Sequence, residues 1–168
     1  MRWFRFAVFI LTVTVLQASL LDIIAVTGLN IKPDLLLILL VFFAIYCNTS
    51  EAIITSFTIG FAADIISPAM GAMGPQIISF GLFGTALAYL HQVIAIRKMS
   101  YQSAAIFITG FLAGVVVYLL TYLKGQPSGA NMYAVLFGTS LYSALVGPFL
   151  FLPSVWWMRI KTPRFGRY

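Results

Sequence analysis

Few side chains in this sequence of 168 residues could take part in acid–base, nucleophilic or metal chemistry. Asp34 and Asp64 could form an intramembrane aspartyl pair if their segments lay side by side, but neither has the surrounding sequence expected for that reaction. The sequence has no GxSxG, HExxH or phosphate-binding loop motif. One cysteine, Cys47, and one histidine, His91, exclude an internal disulfide and a zinc cluster. We therefore predict no catalytic, cofactor-binding or metal site, and a protein that is not an enzyme.

A proton relay or transport path would need a line of polar groups through the apolar segments. The candidates are sparse: Gln17, Asp22, Asp64, Gln76 and His91. Among the other acids, Asp34 follows a proline at the start of a segment and suits the dipole of a helix that begins there. Glu51 lies three residues after Asn48, which is the spacing of a capping box. Asp64 lies at the end of an apolar segment, where a negative charge has no such local role, and it is therefore the acid of greatest interest.

The composition indicates an integral membrane protein. The chain is 61% hydrophobic and only 8% charged, whereas soluble domains carry about 25% charged residues. The formal net charge of +6 could indicate nucleic-acid binding in a soluble protein. Here the basic residues lie at the ends of apolar segments, which is the pattern that orients membrane proteins. We expect contact with membrane lipid and no nucleic-acid partner.

The apolar segments predict an all-α membrane protein, a compact bundle of about six transmembrane helices in a single domain, 1–168. The segments are 6–21, 35–46, 52–66, 76–96, 103–123 and 132–158. The second and third are short for a span, which needs about 20 residues. They could be two tilted short spans or one re-entrant hairpin.

The positive-inside rule predicts the orientation of the bundle. One side collects eight of the ten basic residues: Arg2, Arg5, Arg97, Lys98, Arg159, Lys161, Arg164 and Arg167. The other side receives Lys32 and Lys124. Both termini are therefore expected in the cytoplasm, with the turn after Asp64 toward the outer face.

The segment that ends at Asp64 has a small, polar face. Ser56, Gly60 and Asp64 follow one another at intervals of four, so on a helix they lie on one side. Small residues allow a neighbouring backbone to approach, and we expect Asp64 to face protein rather than lipid. The turn that follows offers partners for its carboxylate. These are the hydroxyl of Ser67, which is followed by Pro68, and the backbone N–H groups at Gly71 and Gly74. Locking this turn and binding a ligand are two compatible roles for Asp64. Gly110 and Gly114 form a GxxxG pattern, which predicts close helix packing within this chain or with a partner.

Two motifs in this sequence resemble the family of rod-shape-determining MreD proteins. The first is Pro33-Asp34 followed by Leu35, Leu36, Leu37, Ile38 and Leu39; the second is Gly60-Phe61-Ala62-Ala63-Asp64 followed by Ser67, Pro68, Gly71 and Gly74. The resemblance covers nearly the whole length, since the small size, the basic head, the apolar segments and the basic tail are also shared. The family often carries a glycine between the phenylalanine and the aspartate, where this chain has Ala62-Ala63.

The resemblance implies a non-enzymatic component of the bacterial cell-elongation complex in the inner membrane. Such proteins associate with MreC, a bitopic protein with a periplasmic coiled coil. They work with the actin-like MreB, with RodA and with a penicillin-binding transpeptidase to direct lateral peptidoglycan synthesis. A homo-oligomer within that complex is compatible with this role. The family also looks similar in fold to the substrate-binding subunits of energy-coupling-factor vitamin transporters.

Two functions therefore remain open. One is a membrane scaffold that holds the membrane helix of MreC. The other is a small-molecule or lipid binding or transport protein with a site near Asp64. A polar, open cavity beside Asp64 would favour the second, and a site filled by protein groups would favour the first.

Overall fold

The computed structural model of the chain describes residues 3–19, 33–66, 74–93, 99–123 and 132–158. They form the helices α1 (Trp3–Ser19), α2 (Leu35–Tyr46), α3 (Thr49–Ile66), α4 (Pro75–Val93), α5 (Met99–Leu123) and α6 (Met132–Met158). The predicted all-helical fold is confirmed, and α2 and α6 have the predicted bounds. Ser67, Pro68, Gly71 and Asp22, which the sequence singled out, lie outside the described residues.

Three helical stretches are long and apolar enough to cross a membrane: Thr49–Ile66, Tyr101–Leu123 and Tyr133–Phe151. Helices α1 and α2 are apolar but shorter. With 12 residues, α2 is about 18 Å long, whereas the hydrocarbon core of a bilayer is about 30 Å thick. Of the two segments that were expected to be short, α2 is short and α3 has the length of a span.

Helix α2 lies at the centre of the bundle. Every residue from Leu36 to Ile45 is buried, and α2 contacts each of the other five helices among the described residues. A helix that is apolar on all sides must be surrounded by protein or by lipid. The surrounding of α2 is protein, so this short helix needs no direct contact with the bilayer.

Aromatic rings fix α1 and α6 against the second half of α2. The Phe6 ring packs edge-on against Phe43, with 5.0 Å between centroids. Phe42 contacts Phe151 at 5.4 Å and Tyr46 at 4.9 Å. Lipid tails are as apolar as these side chains, so the complementary shape of the rings decides which helices pack together.

Helices α2 and α6 run parallel to one another. Asp34 contacts Ser143, and Phe42 contacts Phe151. Between these two levels, Ile38 lies beside Gly147. Helix α5 runs antiparallel to α6, because Gly110 faces Ser140 and Gly114 faces Leu136. The beginnings of α2 and α6 and the last part of α5 thus lie toward one end of the bundle.

Candidate functional site

The carboxylate of Asp64, at the end of α3, caps the beginning of α4. Its Oδ2 accepts hydrogen bonds from the backbone N–H groups of Gly74 and Ile77, each at 3.0 Å, and its Oδ1 accepts one from Gln76 at 3.2 Å. The first N–H groups of a helix have no partner within the helix, and a negative charge there also suits the helix dipole. Asp64 supplies that partner and that charge from the preceding helix.

Gly74 has the backbone angle that this arrangement requires. Its φ is 121°, a value that residues with a Cβ rarely adopt. This angle turns the Gly74 N–H toward Asp64, and Pro75 then occupies the first position of α4, where its missing N–H is no loss. The hydrogen bond from Gly74 was predicted from the sequence. The hydrogen bonds from Gln76 and Ile77 were not predicted, because donors were expected only from the turn after Asp64 and not from the first turn of α4.

The face of α3 that carries Ser56, Gly60 and Asp64 is buried, as its small residues predicted. Ser56 Oγ donates to the Ala52 carbonyl oxygen at 2.7 Å. A Cβ on Gly60 would lie 2.8 Å from Ile77 Cα and 3.0 Å from the Gln76 carbonyl oxygen. Gly60 therefore allows the backbones of α3 and α4 to approach closely enough for Asp64 to reach its three donors.

Phe61 lies on the other side of α3. Its side chain is 53% exposed, and that of Phe57 is 47% exposed. In a bundle that spans a membrane, such exposed rings are the surface available to lipid or to a partner helix. Phe61 belongs to the family-like motif but takes no part in the Asp64 contacts.

Asp34 caps the beginning of α2. Its Oδ1 accepts hydrogen bonds from the backbone N–H groups of Leu36 and Leu37, both at 3.1 Å, and from Gln17 Nε2 at 3.0 Å. Gln17 Oε1 accepts in turn from Leu36 N at 2.9 Å, and Asp34 N donates to Ser143 Oγ at 2.8 Å. Three helices, α1, α2 and α6, thus meet at this residue.

The structure corrects the predicted position of Pro33. The sequence placed it at the first helical position, but α2 begins at Leu35 and Asp34 is the N-cap. Pro33 is buried one residue before the cap. The reason is that the aspartate side chain takes over the two free N–H groups, and this requires the extended backbone that Asp34 has, with φ −92° and ψ 97°.

A cavity of about 180 Å³ lies between α2, α4, α5 and α6. Asp34 lines this cavity and Asp64 does not. Gln76 connects the two places, because its backbone N–H binds Asp64 and the residue also lines the cavity. Of the remaining candidates for a polar path, Gln17 serves Asp34, and His91 lies in the last turn of α4, far along the helix from Gln76.

Gly110 and Gly114 face the interior of this chain. A Cβ on Gly110 would lie 2.5 Å from Leu37 Cδ2 and 3.2 Å from Ser140 Oγ, and one on Gly114 would overlap Leu136. The GxxxG pattern therefore packs α5 against α2 and α6, and both glycines line the cavity beside Asp34.

Sequence reasoning missed the roles of Gln17 and Ser143 at the start of α2. The signal available was the presence of single polar residues in otherwise apolar segments. Within the described ranges, no three His, Cys, Asp or Glu side chains lie close enough to hold a metal ion.

The model of one protein family, rod shape-determining protein MreD, matches residues 1–161. The chain belongs to the MreD family. No curated protein and no solved structure matches the chain, so the expected likeness to transporter subunits has no support. Membership of the MreD family assigns the chain a role in rod shape determination and makes it an integral membrane protein of a structural, shape-determining family.

Proposed function

We propose that the chain is a non-enzymatic scaffold of the bacterial cell-elongation complex, which holds the membrane helix of MreC and helps to direct lateral peptidoglycan synthesis. The match of the MreD family over residues 1–161 is the observation that carries this proposal. MreB, RodA and a penicillin-binding transpeptidase are the further partners of the proposed complex, in which the chain could also meet a second copy of itself.

The use of the polar groups supports a scaffold. Asp64 directs both carboxylate oxygens to the backbone of α4, and Asp34 joins three helices. Such contacts fix helix ends in one arrangement, which is what a protein needs to present a constant surface to partner helices. The alternative of a ligand site at Asp64 itself loses its main support, because the carboxylate is occupied by protein donors.

The orientation belongs to the same proposal. With both termini in the cytoplasm and the chain in the inner membrane, the beginning of α4 and Asp64 lie toward the periplasm. Reporter fusions at Tyr168 and near Gln126 are expected to report opposite sides of the membrane. Reports from the same side would show that the proposed number of spans is wrong by an odd number.

Co-purification of MreC and complementation of cell shape test the scaffold role with two variants of Asp64. Asp64→Asn keeps the shape and one acceptor, whereas Asp64→Leu leaves three partly buried N–H groups without this partner, at up to about 1–3 kcal/mol each. We expect the leucine variant to lose more MreC and more rod shape than the asparagine variant. If the chain transports a cation through Asp64, asparagine will abolish function while MreC is still recovered. Full activity of both variants would contradict the assigned role of Asp64.

A further inference from the structure

The cavity between α2, α4, α5 and α6, called here the Asp34 cavity, differs from the Asp64 site because its polar groups are not all used by the described residues. Its walls are mostly apolar, with Phe80, Val117 and Leu136 among them. Asp34 keeps part of its surface accessible there. Such a cavity, apolar with a few convergent polar groups, has the character of a small-molecule site.

The two carboxylate oxygens of Asp34 have different surroundings. Oδ1 accepts three hydrogen bonds, from Gln17 and from the backbone of Leu36 and Leu37. Oδ2 accepts none from any described residue. Asp34 lines the cavity and is only partly buried, so Oδ2 is the carboxylate oxygen left for a ligand there. A carboxylate oxygen in apolar surroundings is costly unless a donor reaches it.

A second acceptor lines the same cavity. Ser140 is 3% exposed and its hydroxyl forms no hydrogen bond with the residues that the structure describes. This differs from Ser56, Ser79 and Ser154, whose hydroxyls each donate to a backbone carbonyl oxygen. Ser140 Oγ is therefore available to a ligand.

These groups determine the ligand chemistry. An ionised Asp34 Oδ2 takes a hydrogen-bond donor, and a positive charge compensates a carboxylate in apolar surroundings better than a neutral donor does. An ammonium group has three donors and no acceptor, so it suits a cavity that offers Asp34 Oδ2 and Ser140 Oγ as acceptors. The apolar walls fit a hydrocarbon body behind that group. We propose that the Asp34 cavity binds a small amine, an ammonium group carried on an apolar body.

The volume limits the size of this ligand. A cavity of roughly 150 Å³ lined by apolar side chains holds one benzene molecule, so the cavity of about 180 Å³ fits an amine with one six-membered ring. This inference is independent of the scaffold role, since it concerns a different aspartate from the one tested with MreC.

Cyclohexylammonium and its neutral analogue cyclohexanol are suitable probes. Dissociation constants for the full-length protein in detergent are obtained from the dependence of Tm on probe concentration. We expect binding of the ammonium at least about tenfold tighter than that of the alcohol. Equal affinities for the two probes would overturn the proposal.

Variants locate the bound group. Asp34→Asn keeps an N-cap acceptor and should weaken cyclohexylammonium binding at least about tenfold, while Ser140→Ala should weaken it several-fold without losing any hydrogen bond within the described protein. Glu51→Gln removes the same charge at the beginning of α3 and should leave binding unchanged. Unchanged affinity in both Asp34→Asn and Ser140→Ala would overturn the proposal even if one of them folded poorly.

The amine could reach the cavity as a free molecule or as the headgroup of an ethanolamine lipid. The same titrations in nanodiscs of phosphatidylethanolamine and of phosphatidylglycerol distinguish these sources. Weaker cyclohexylammonium binding in phosphatidylethanolamine than in phosphatidylglycerol nanodiscs would identify the lipid headgroup as the bound amine. This difference should disappear in Asp34→Asn. Equal cyclohexylammonium affinity in both lipids would identify a free amine.

Discussion

Gln17 and Asp34 join α1 to the first turn of α2 through a closed set of hydrogen bonds. Gln17 Nε2 donates to Asp34 Oδ1 at 3.0 Å, while Gln17 Oε1 accepts from Leu36 N at 2.9 Å, and Leu36 N also donates to Asp34 Oδ1 at 3.1 Å. Every member of this set is bonded to the other two. The beginning of the central helix is thus held by a glutamine from a different helix.

Gln17→Leu should destabilise the bundle. The change removes a donor to Asp34 and an acceptor for Leu36 N. Both groups keep a backbone or carboxylate partner, so the expected loss is that of the hydrogen bonds themselves, about 1 kcal/mol. Thr12→Val is the matched control on the same helix, because its hydroxyl is exposed and donates only to the Val8 carbonyl oxygen. Thermal unfolding in detergent gives the Tm of both variants. Equal Tm values for Gln17→Leu and Thr12→Val would contradict the role of Gln17.

Gly60→Ala should separate α3 from α4. The new Cβ would lie 2.8 Å from Ile77 Cα, and a backbone atom cannot move aside as a side chain can. Overpacking of this kind costs about 1–3 kcal/mol. In Gly81→Ala the three atoms nearest to the new Cβ belong to the ring of Phe57, which is exposed and can rotate, so the loss in Tm should be clearly smaller. A larger loss for Gly81→Ala would show that the close approach at Gly60 is unimportant.

Gly110→Leu should cost more stability than Gly114→Leu. A side chain at Gly110 meets Leu37, which is buried in the core, whereas one at Gly114 meets Leu136, which is only partly buried and can move more easily. We expect a loss of about 1–3 kcal/mol at Gly110 and of about 1 kcal/mol at Gly114. Chemical unfolding in mixed micelles gives the order of the two losses, and the reverse order would show that Leu136 moves aside less easily than Leu37.

Cys47 should react slowly with thiol reagents. Burial, and then the negative charge of Glu51, raise the pKa of this thiol from 9.0 to about 12. The reactive form is the thiolate, so near pH 8 its population, and with it the labelling rate, should be about a thousandfold below that of an unperturbed cysteine. Labelling should rise about tenfold for each unit of pH up to about 11.

The control for this labelling carries Cys47→Ser together with Ser50→Cys. Residue 50 lies in the first turn of α3 and is exposed, so a thiol there lacks the burial that raises the pKa of Cys47. Maleimide labelling followed by mass spectrometry compares the two proteins. Equal rates at pH 8 would show that Cys47 is more accessible than its surroundings indicate.

The helices could be predicted from the sequence because apolar runs, prolines and glycines mark their lengths and ends. The small face of α3 likewise predicted the burial of Ser56, Gly60 and Asp64. The central position of α2 could not be predicted, since a helix that is apolar all round looks the same whether protein or lipid surrounds it. The run from Leu36 to Ile45 is uniformly apolar, so its sequence has no periodicity that would show which face of the helix contacts protein.

The partners of Asp34 could not be predicted for a different reason. Gln17 and Ser143 are 17 and 109 residues away along the chain, and only the packing of α1 and α6 against α2 brings them together. The Asp34 cavity depends in the same way on four helices. Local sequence indicated that a helix begins near Asp34, whereas the N-cap role of Asp34 and its tertiary contacts were found in the structure.

The cap that Asp64 provides for α4 has a consequence for biogenesis. If α3 entered the bilayer alone, it would carry a carboxylate without partners, and an aspartate in a spanning helix opposes insertion by up to about 3 kcal/mol. Once α4 follows, its first N–H groups bind that carboxylate and the opposition is removed. Helices α3 and α4 are therefore expected to insert more favourably as a pair, because α4 supplies the donors that compensate a charge that α3 alone would carry.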